Sequence, residues 1–93
     1  MATIETVAQF LEALDAGPYA WPGGYPVYFI THDGAALSFE AVREQFAQVV
    51  WDFINDASTG WRVCACEINY ENDDLTCDHT GELIESAYGE QHG

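Results

Sequence analysis

The chain contains no lysine. Its 93 residues carry sixteen Asp and Glu against two arginines, Arg43 and Arg62, for a formal net charge of -14. Ordinary soluble surfaces mix both signs, because a one-sign surface repels itself and weakens the compact state. An acidic, lysine-free surface argues against direct binding to nucleic acid or anionic membranes, since neither phosphate nor headgroup meets a cation. Long apolar runs are missing as well; none approaches the roughly 20 residues of a membrane helix. The start, Met1 to Glu5, lacks the basic region of a secretory signal, so a cytoplasmic location is expected. Cysteines number only three, and an odd count fits reduced thiols better than a disulfide framework.

What the chain does have is apolar and aromatic side chains, 48% and 14% of the total. That is too much for disorder, and it also counts against high-salt adaptation, the plain alternative for an acidic composition. A single domain spanning 1–93 is expected, with the last few residues disordered.

Ile4, Val7, Leu11 and Leu14 recur at helical spacing, with Thr3 as N-cap and Gly17-Pro18 as the stop. The turn-rich PYAWPGG stretch, 18–24, reads as a loop lidding the edge of the core. Tyr25 to Thr31 is dense in aromatic and β-branched residues and predicts a strand. Asp33-Gly34 signals a type I′ hairpin, returning through Ala35 to Leu37. Ser38 caps a second helix over about 39–57, with Val42, Phe46, Val49, Val50, Phe53 and Ile54 as its buried stripe. Trp61 to Tyr70 predicts a strand, 71–74 a turn, and Leu75 to Cys77 its return; 82–88 is a further short strand or an irregular tail. The expected fold is α+β, of order α-β-β-α-β-β: a small antiparallel sheet with two helices packed on one face.

Acidic residues of the second helix fall at 40, 44, 52 and 56, with Gln48 in the same series. On an unbroken helix they spiral slowly over the side away from the apolar stripe, about 6 Å apart along the axis. Glu40/Glu44 and Asp52/Asp56 are repulsive i,i+4 pairs, and Asp52 and Asp56 lie where the helix dipole prefers cations. An arrangement that opposes stability points to a partner-facing stripe of Glu40, Glu44, Asp52 and Asp56. Trp51 falls among these acids, either covered by another segment or serving as an interface anchor. The turn at Glu71, Asp73 and Asp74 extends the candidate partner-binding set.

Catalytic and metal signals are weak. If 71–74 is a tight hairpin turn, Cys64, Cys66, Cys77 and His79 share one sheet face, and a Cys3His zinc set is conceivable. The C-x-C and C-x-H spacings are not those of zinc knuckles, and the same face holds Ile68, Tyr70 and Leu75, so buried free thiols are the expectation. An activated Cys–His nucleophile wants electropositive surroundings, which this composition does not supply. An EF-hand register from Asn69 puts Asp74 and Thr80 where Gly and Glu are required. No phosphate loop, G-x-S-x-G or H-E-x-x-H occurs, so neither enzyme nor cofactor is expected.

The segments GPYAWPGGYPVYFIT, 17–31, and CDHTGELIESAYGE, 77–90, are similar to small uncharacterised proteins of phages and other bacterial mobile elements. Size and acidity together resemble the anti-CRISPR and anti-restriction inhibitors, several of which mimic DNA. The resemblance implies an inhibitor of a host nucleic-acid-binding defence complex, binding its basic groove in place of DNA. The alternatives are a non-enzymatic adaptor docking through an aromatic surface, and a zinc-stapled module. Self-repulsion has a direct consequence: the thermal midpoint is expected to rise as salt goes from about 10 to 200 mM, where screening is steepest. A flat or falling midpoint would mean that the carboxylates do not repel one another.

Overall fold

Tyr25–Thr31 is the strand on which the rest is arranged. A computed structural model describes residues 2–20, 23–70, 72 and 74–86. In chain order the elements are β1 (Ala2–Thr3), α1 (Val7–Ala16), β2 (Tyr19–Ala20), β3 (Tyr25–Thr31), β4 (Ala36–Ser38), α2 (Phe39–Glu44), α3 (Phe46–Ile54) and β5 (Val63–Ile68). The five strands form one antiparallel sheet, and with three helices the fold is α+β. β3 pairs with β5 along one edge; along the other it pairs first with β2 and then with β4, while β1 adds to the far side of β5. Phe29 lies opposite both Leu37 and Cys66, so the three share a face, and Phe29 and Leu37 are fully buried there.

Several expectations are corrected. Thr3 is not the cap of α1; it pairs with Ala65 in β1, and Thr6 caps instead. Thr6 Oγ1 accepts the Gln9 N–H at 3.2 Å while Gln9 Oε1 accepts the Thr6 N–H at 3.2 Å, a reciprocal box. The 31–35 hairpin is not type I′. Gly34 N–H donates to the Thr31 carbonyl and Thr31 N–H to Ala35, with Gly34 alone at positive φ, +85°. This is the three-residue loop in which a turn is followed by a left-handed glycine.

The second helix is two. Ser38 caps as expected, its Oγ accepting the Ala41 N–H at 3.1 Å, but the helix breaks at Gln45 and α3 ends at Ile54. The two pieces dock on different surfaces. Phe39 stacks on Phe29 of the sheet, whereas Phe46 and Phe53 both stack on Phe10 of α1.

Nor does Leu75–Cys77 return along β5, whose described strand partners are β3 on one edge and β1, at Ala65 and Cys66, on the other. The segment folds on itself through a bridge between Thr76 and Leu83, and Asp78 N–H ties it to the Ala36 carbonyl beside β4. Buried Asn69 fastens it: its Nδ2 donates to the Asn72 and Glu85 carbonyls at 2.9 and 3.1 Å. The 18–24 stretch is not all loop, since Tyr19–Ala20 pairs with Pro26 and Tyr25 of β3 as β2. Trp21 and Pro22 of the expected lid, and the expected disorder of the last few residues, lie outside the described residues.

Asp52 is the largest departure from expectation, being completely buried. Its carboxylate accepts the Thr59 N–H at 3.1 Å and the Gln48 amide at 3.0 Å, and Thr59 Oγ1 lies 2.8 Å from Oδ2. The Asp52 carbonyl accepts from Ala57 N–H and from Arg62, so one residue folds the chain from α3 into the approach to β5. Replacing Asp52 by Ala strands the Thr59 N–H and is expected to cost about 1–3 kcal/mol in denaturant unfolding. Parental stability for that variant would show that the carboxylate does not hold the turn.

Candidate functional site

The side chain of Asp52 is sealed inside, so the acidic stripe expected across the second helix does not exist as such. Glu40 is exposed and paired with Arg43 within α2. Glu44 is exposed at the end of α2. Asp56 sits beyond α3 in the left-handed region, φ 50°, with its side chain 93% exposed and Arg62 Nη1 3.2 Å away. Asp74 is exposed in the following turn, while Glu71 and Asp73 lie outside the described residues. Asp52 leaves the series because its carboxylate and carbonyl are taken up by Thr59 and Arg62 of the 57–62 connection.

Acid is nonetheless distributed everywhere else. Of the thirteen described carboxylates, all but Asp52 and Glu67 are exposed. Glu67 is half-buried and accepts a hydrogen bond from the Tyr28 hydroxyl; burial, with this carboxylate second, raises the Tyr28 phenol above its usual range. Glu85 similarly accepts from Tyr19 at 2.8 Å, and that bond is the main reason the Tyr19 phenol is raised. Both arginines are committed. Arg43 serves Glu40, and Arg62 is wedged at 14% side-chain exposure, its guanidinium carbon 4.9 Å from the Phe53 ring centroid.

On α3, seven of the nine residues are apolar, more than one core face can cover. Val49 is buried and Phe53 half-buried, as expected. Phe46 and Ile54, assigned by pattern to the core, are 42% and 72% exposed, and Trp51 is 50% exposed beside them. No described residue of the 18–24 loop lines the cleft at Trp51; that shallow hollow, about 390 Å³, is formed by Ala47, Gln48, Trp51 and Thr59. The helix is therefore inside out: its one carboxylate is buried and much of its apolar surface faces water. The excess of apolar positions over one helix face was the available signal for Phe46 and Ile54.

A larger groove, about 540 Å³, runs between α1 and the sheet, lined by Ile4, Ala13, Val27, Cys66 and Ile68 with Glu12 and Glu67 at its walls. Its titratable groups do not converge. Burial raises the Cys66 thiol.

The four presumptive zinc ligands are not brought together. The premise of a shared sheet face fails because Cys77 and His79 lie outside the β5 ladder. Cys64 donates to the Thr31 carbonyl, Cys66 pairs with Phe29, and His79 stacks on Trp61 at 4.1 Å with Nε2 2.9 Å from the Gly60 carbonyl. Among the described residues no three His, Cys, Asp or Glu side chains converge as metal ligands do.

Cys77 is of another kind. Burial pushes its thiol up, but the Thr80 hydroxyl and the backbone N–H groups of Ser38, Thr80 and His79 together outweigh burial and bring it down to about 7. The acidic composition did not prevent this, because hydrogen-bond donors rather than cations stabilise the thiolate. A sulfur with 1% exposure nevertheless meets no substrate. Its effect is on stability. A folded pKa below the unfolded value of about 9 adds stability that is complete above pH 9 and is lost as pH falls through 7. The thiolate absorbance missing from Cys77→Ser is expected to titrate near pH 7, and the variant to lose its parent's gain in stability between pH 7 and 9. Titration near 9 would remove the donors' role. No protein family, curated protein or solved structure matches the chain.

Proposed function

We propose that this chain is a non-enzymatic acidic binding protein that occupies the basic, phosphate-holding groove of a nucleic-acid-binding protein. The observation that carries the reading is the absence of a free cation among the described residues. Both arginines are already spent on Glu40 and Asp56, and all of the described carboxylates but Asp52 and Glu67 are exposed. A surface of that kind accelerates encounter with a basic groove and is repelled by the phosphates that normally fill it. Action is by competition, with no bond made or broken. In its specific form the proposal is a phage- or mobile-element-encoded inhibitor of a host defence complex of the anti-CRISPR kind. The phage origin is drawn from the resemblance of 17–31 and 77–90, and the inhibitor class from size and acidity.

The partner-facing residues are Glu40, Glu44, Asp56 and Asp74, without Asp52. A second reading, an adaptor that docks through an aromatic surface, is favoured by one observation, the exposure of Phe46, Trp51 and Ile54. Salt separates the two. An electrostatic complex loses affinity steeply as salt rises, whereas an aromatic one hardly responds.

Three results are expected. Duplex DNA gives no shifted complex with the protein at physiological salt. Proteins captured from a bacterial lysate on the immobilised chain are displaced by duplex DNA. Changing Glu40 and Glu44 to Gln and Asp56 to Asn slows association about tenfold with little change in dissociation. A direct complex with DNA, or capture indifferent to added duplex and to the three substitutions, would end the mimicry reading.

A further inference from the structure

Phe46, Ala47, Val50, Trp51 and Ile54 recur on α3 at positions i, i+1, i+4, i+5 and i+8, which is one continuous helix face. All but half-buried Val50 are exposed. Phe10 of α1 lies against Phe46, with ring centroids 6.1 Å apart, and Leu11 is 43% exposed on the helix that carries Phe10. On α1 the groove residues Gln9, Glu12, Ala13 and Ala16 occupy the other side, so Leu11 falls toward α3. The two helices meet through the buried Phe10 ring, and a shallow cleft opens on α3 beside Trp51. Scattered exposed apolar residues are normal; a contiguous stripe across neighbouring helices marks an interaction surface.

Charge identifies the occupant. Glu44 ends α2, one residue before Gln45 caps α3; Asp56 follows α3, and Asp15 lies one turn beyond Leu11 on α1; all three are exposed. The exposed stripe itself contains no charged residue. A second copy of the chain would bring two molecules of net charge -14 together and set these carboxylates against their equivalents. A helix with an apolar stripe and Lys or Arg along its flanks would bury the stripe and neutralise the rim.

We infer that the outward face of α3, with Leu11 of α1, is the docking site for a basic amphipathic helix of the partner, an inference that rests on the basic-partner reading above. Ile54 and Trp51 supply the apolar anchors, and Glu44, Asp15 and Asp56 receive the flanking cations. Neither anchor is tightly packed in the free protein, which lets them be changed without disturbing the fold.

The test is calorimetric titration of the whole chain with three synthetic peptides, each about 18 residues, or five helical turns. One is a Leu/Lys helix with a single apolar stripe. The second has the same composition scrambled so that no stripe forms, and the third replaces Lys by Glu. The striped Leu/Lys peptide is expected to bind at least about tenfold more tightly than the scrambled one. Ile54→Ser and Trp51→Ala are each expected to weaken it by roughly thirtyfold, the size of an anchor residue, while the thermal midpoint and scrambled-peptide affinity stay put. Equal binding of striped and scrambled peptides, or indifference to both substitutions, overturns the inference and leaves the basic-partner reading standing. Equal binding of the Leu/Glu peptide, or no binding of either Lys peptide, overturns that reading as well. A dimer in sedimentation that Ile54→Ser dissociates would make a second copy the occupant and overturn the inference.

Discussion

The ring of Phe10 decides how the molecule is put together. It meets Phe29 of β3 edge-on at 6.1 Å and stacks against Phe46 and Phe53 of α3 at 6.1 and 5.8 Å. Aromatic pairs in these geometries add about 0.5–1.5 kcal/mol each beyond the area they bury. In a chain whose surface charges repel one another, such contacts are what oppose expansion. They also set the roll of α3. With Phe46 and Phe53 turned to α1 and Val49 to the core, Asp52 is carried round to the 57–62 connection, and Trp51 and Ile54 are left facing out. The buried carboxylate and the exposed aromatic face are two consequences of one packing choice.

Asp52 then shows why net charge and charged surface differ. Its position in a series of acids at i,i+4 spacing suggested an exposed stripe that destabilised the helix for the sake of a partner. In the folded chain it does the opposite. It receives the Thr59 N–H and the Gln48 amide, and its carbonyl receives Arg62, so one of only two cations is used up closing the end of α3. Arg62 stays there with its guanidinium over Phe53. Because the turn uses Arg62 and α2 uses Arg43, no arginine is left over to pair with the other described carboxylates.

Local chemistry was legible in the sequence and tertiary competition was not. β3 has the bounds that its run of aromatic and β-branched residues indicates, since Gly24 and the 32–34 turn delimit it. Ser38 caps the following helix as read, because a cap needs only the next three residues. The antiparallel α+β layout followed from the order of elements, although β1 and β2, at two residues each, are too short to leave a pattern. The break at Gln45 has no glycine or proline to announce it. It arises because α2 is claimed by the sheet through Phe39 and α3 by α1 through Phe46 and Phe53, and one straight helix does not reach both. The same blindness applied to Leu75–Cys77, which bridges to Leu83 through Thr76 and is tied at Asp78 to Ala36 instead of returning along β5. Of the candidate residues, Glu40, Glu44, Asp56 and Asp74 are exposed and Trp51 is uncovered, but Asp52 is interior and Phe46 and Ile54 are exterior.

That reversal changes the kind of recognition the surface suits. Many exposed carboxylates give long-range attraction but little orientation, because a basic partner would be drawn to all of them alike. Orientation requires one place that differs from the rest. The outer face of α3 is such a place: five side chains without a formal charge, on a molecule where most described carboxylates are exposed. On the proposed reading, dispersed charge would bring a basic partner near and the apolar strip would determine which way it settles. A helix roll fixed by Phe10, deep in the core, thereby sets what the outside of the molecule can hold.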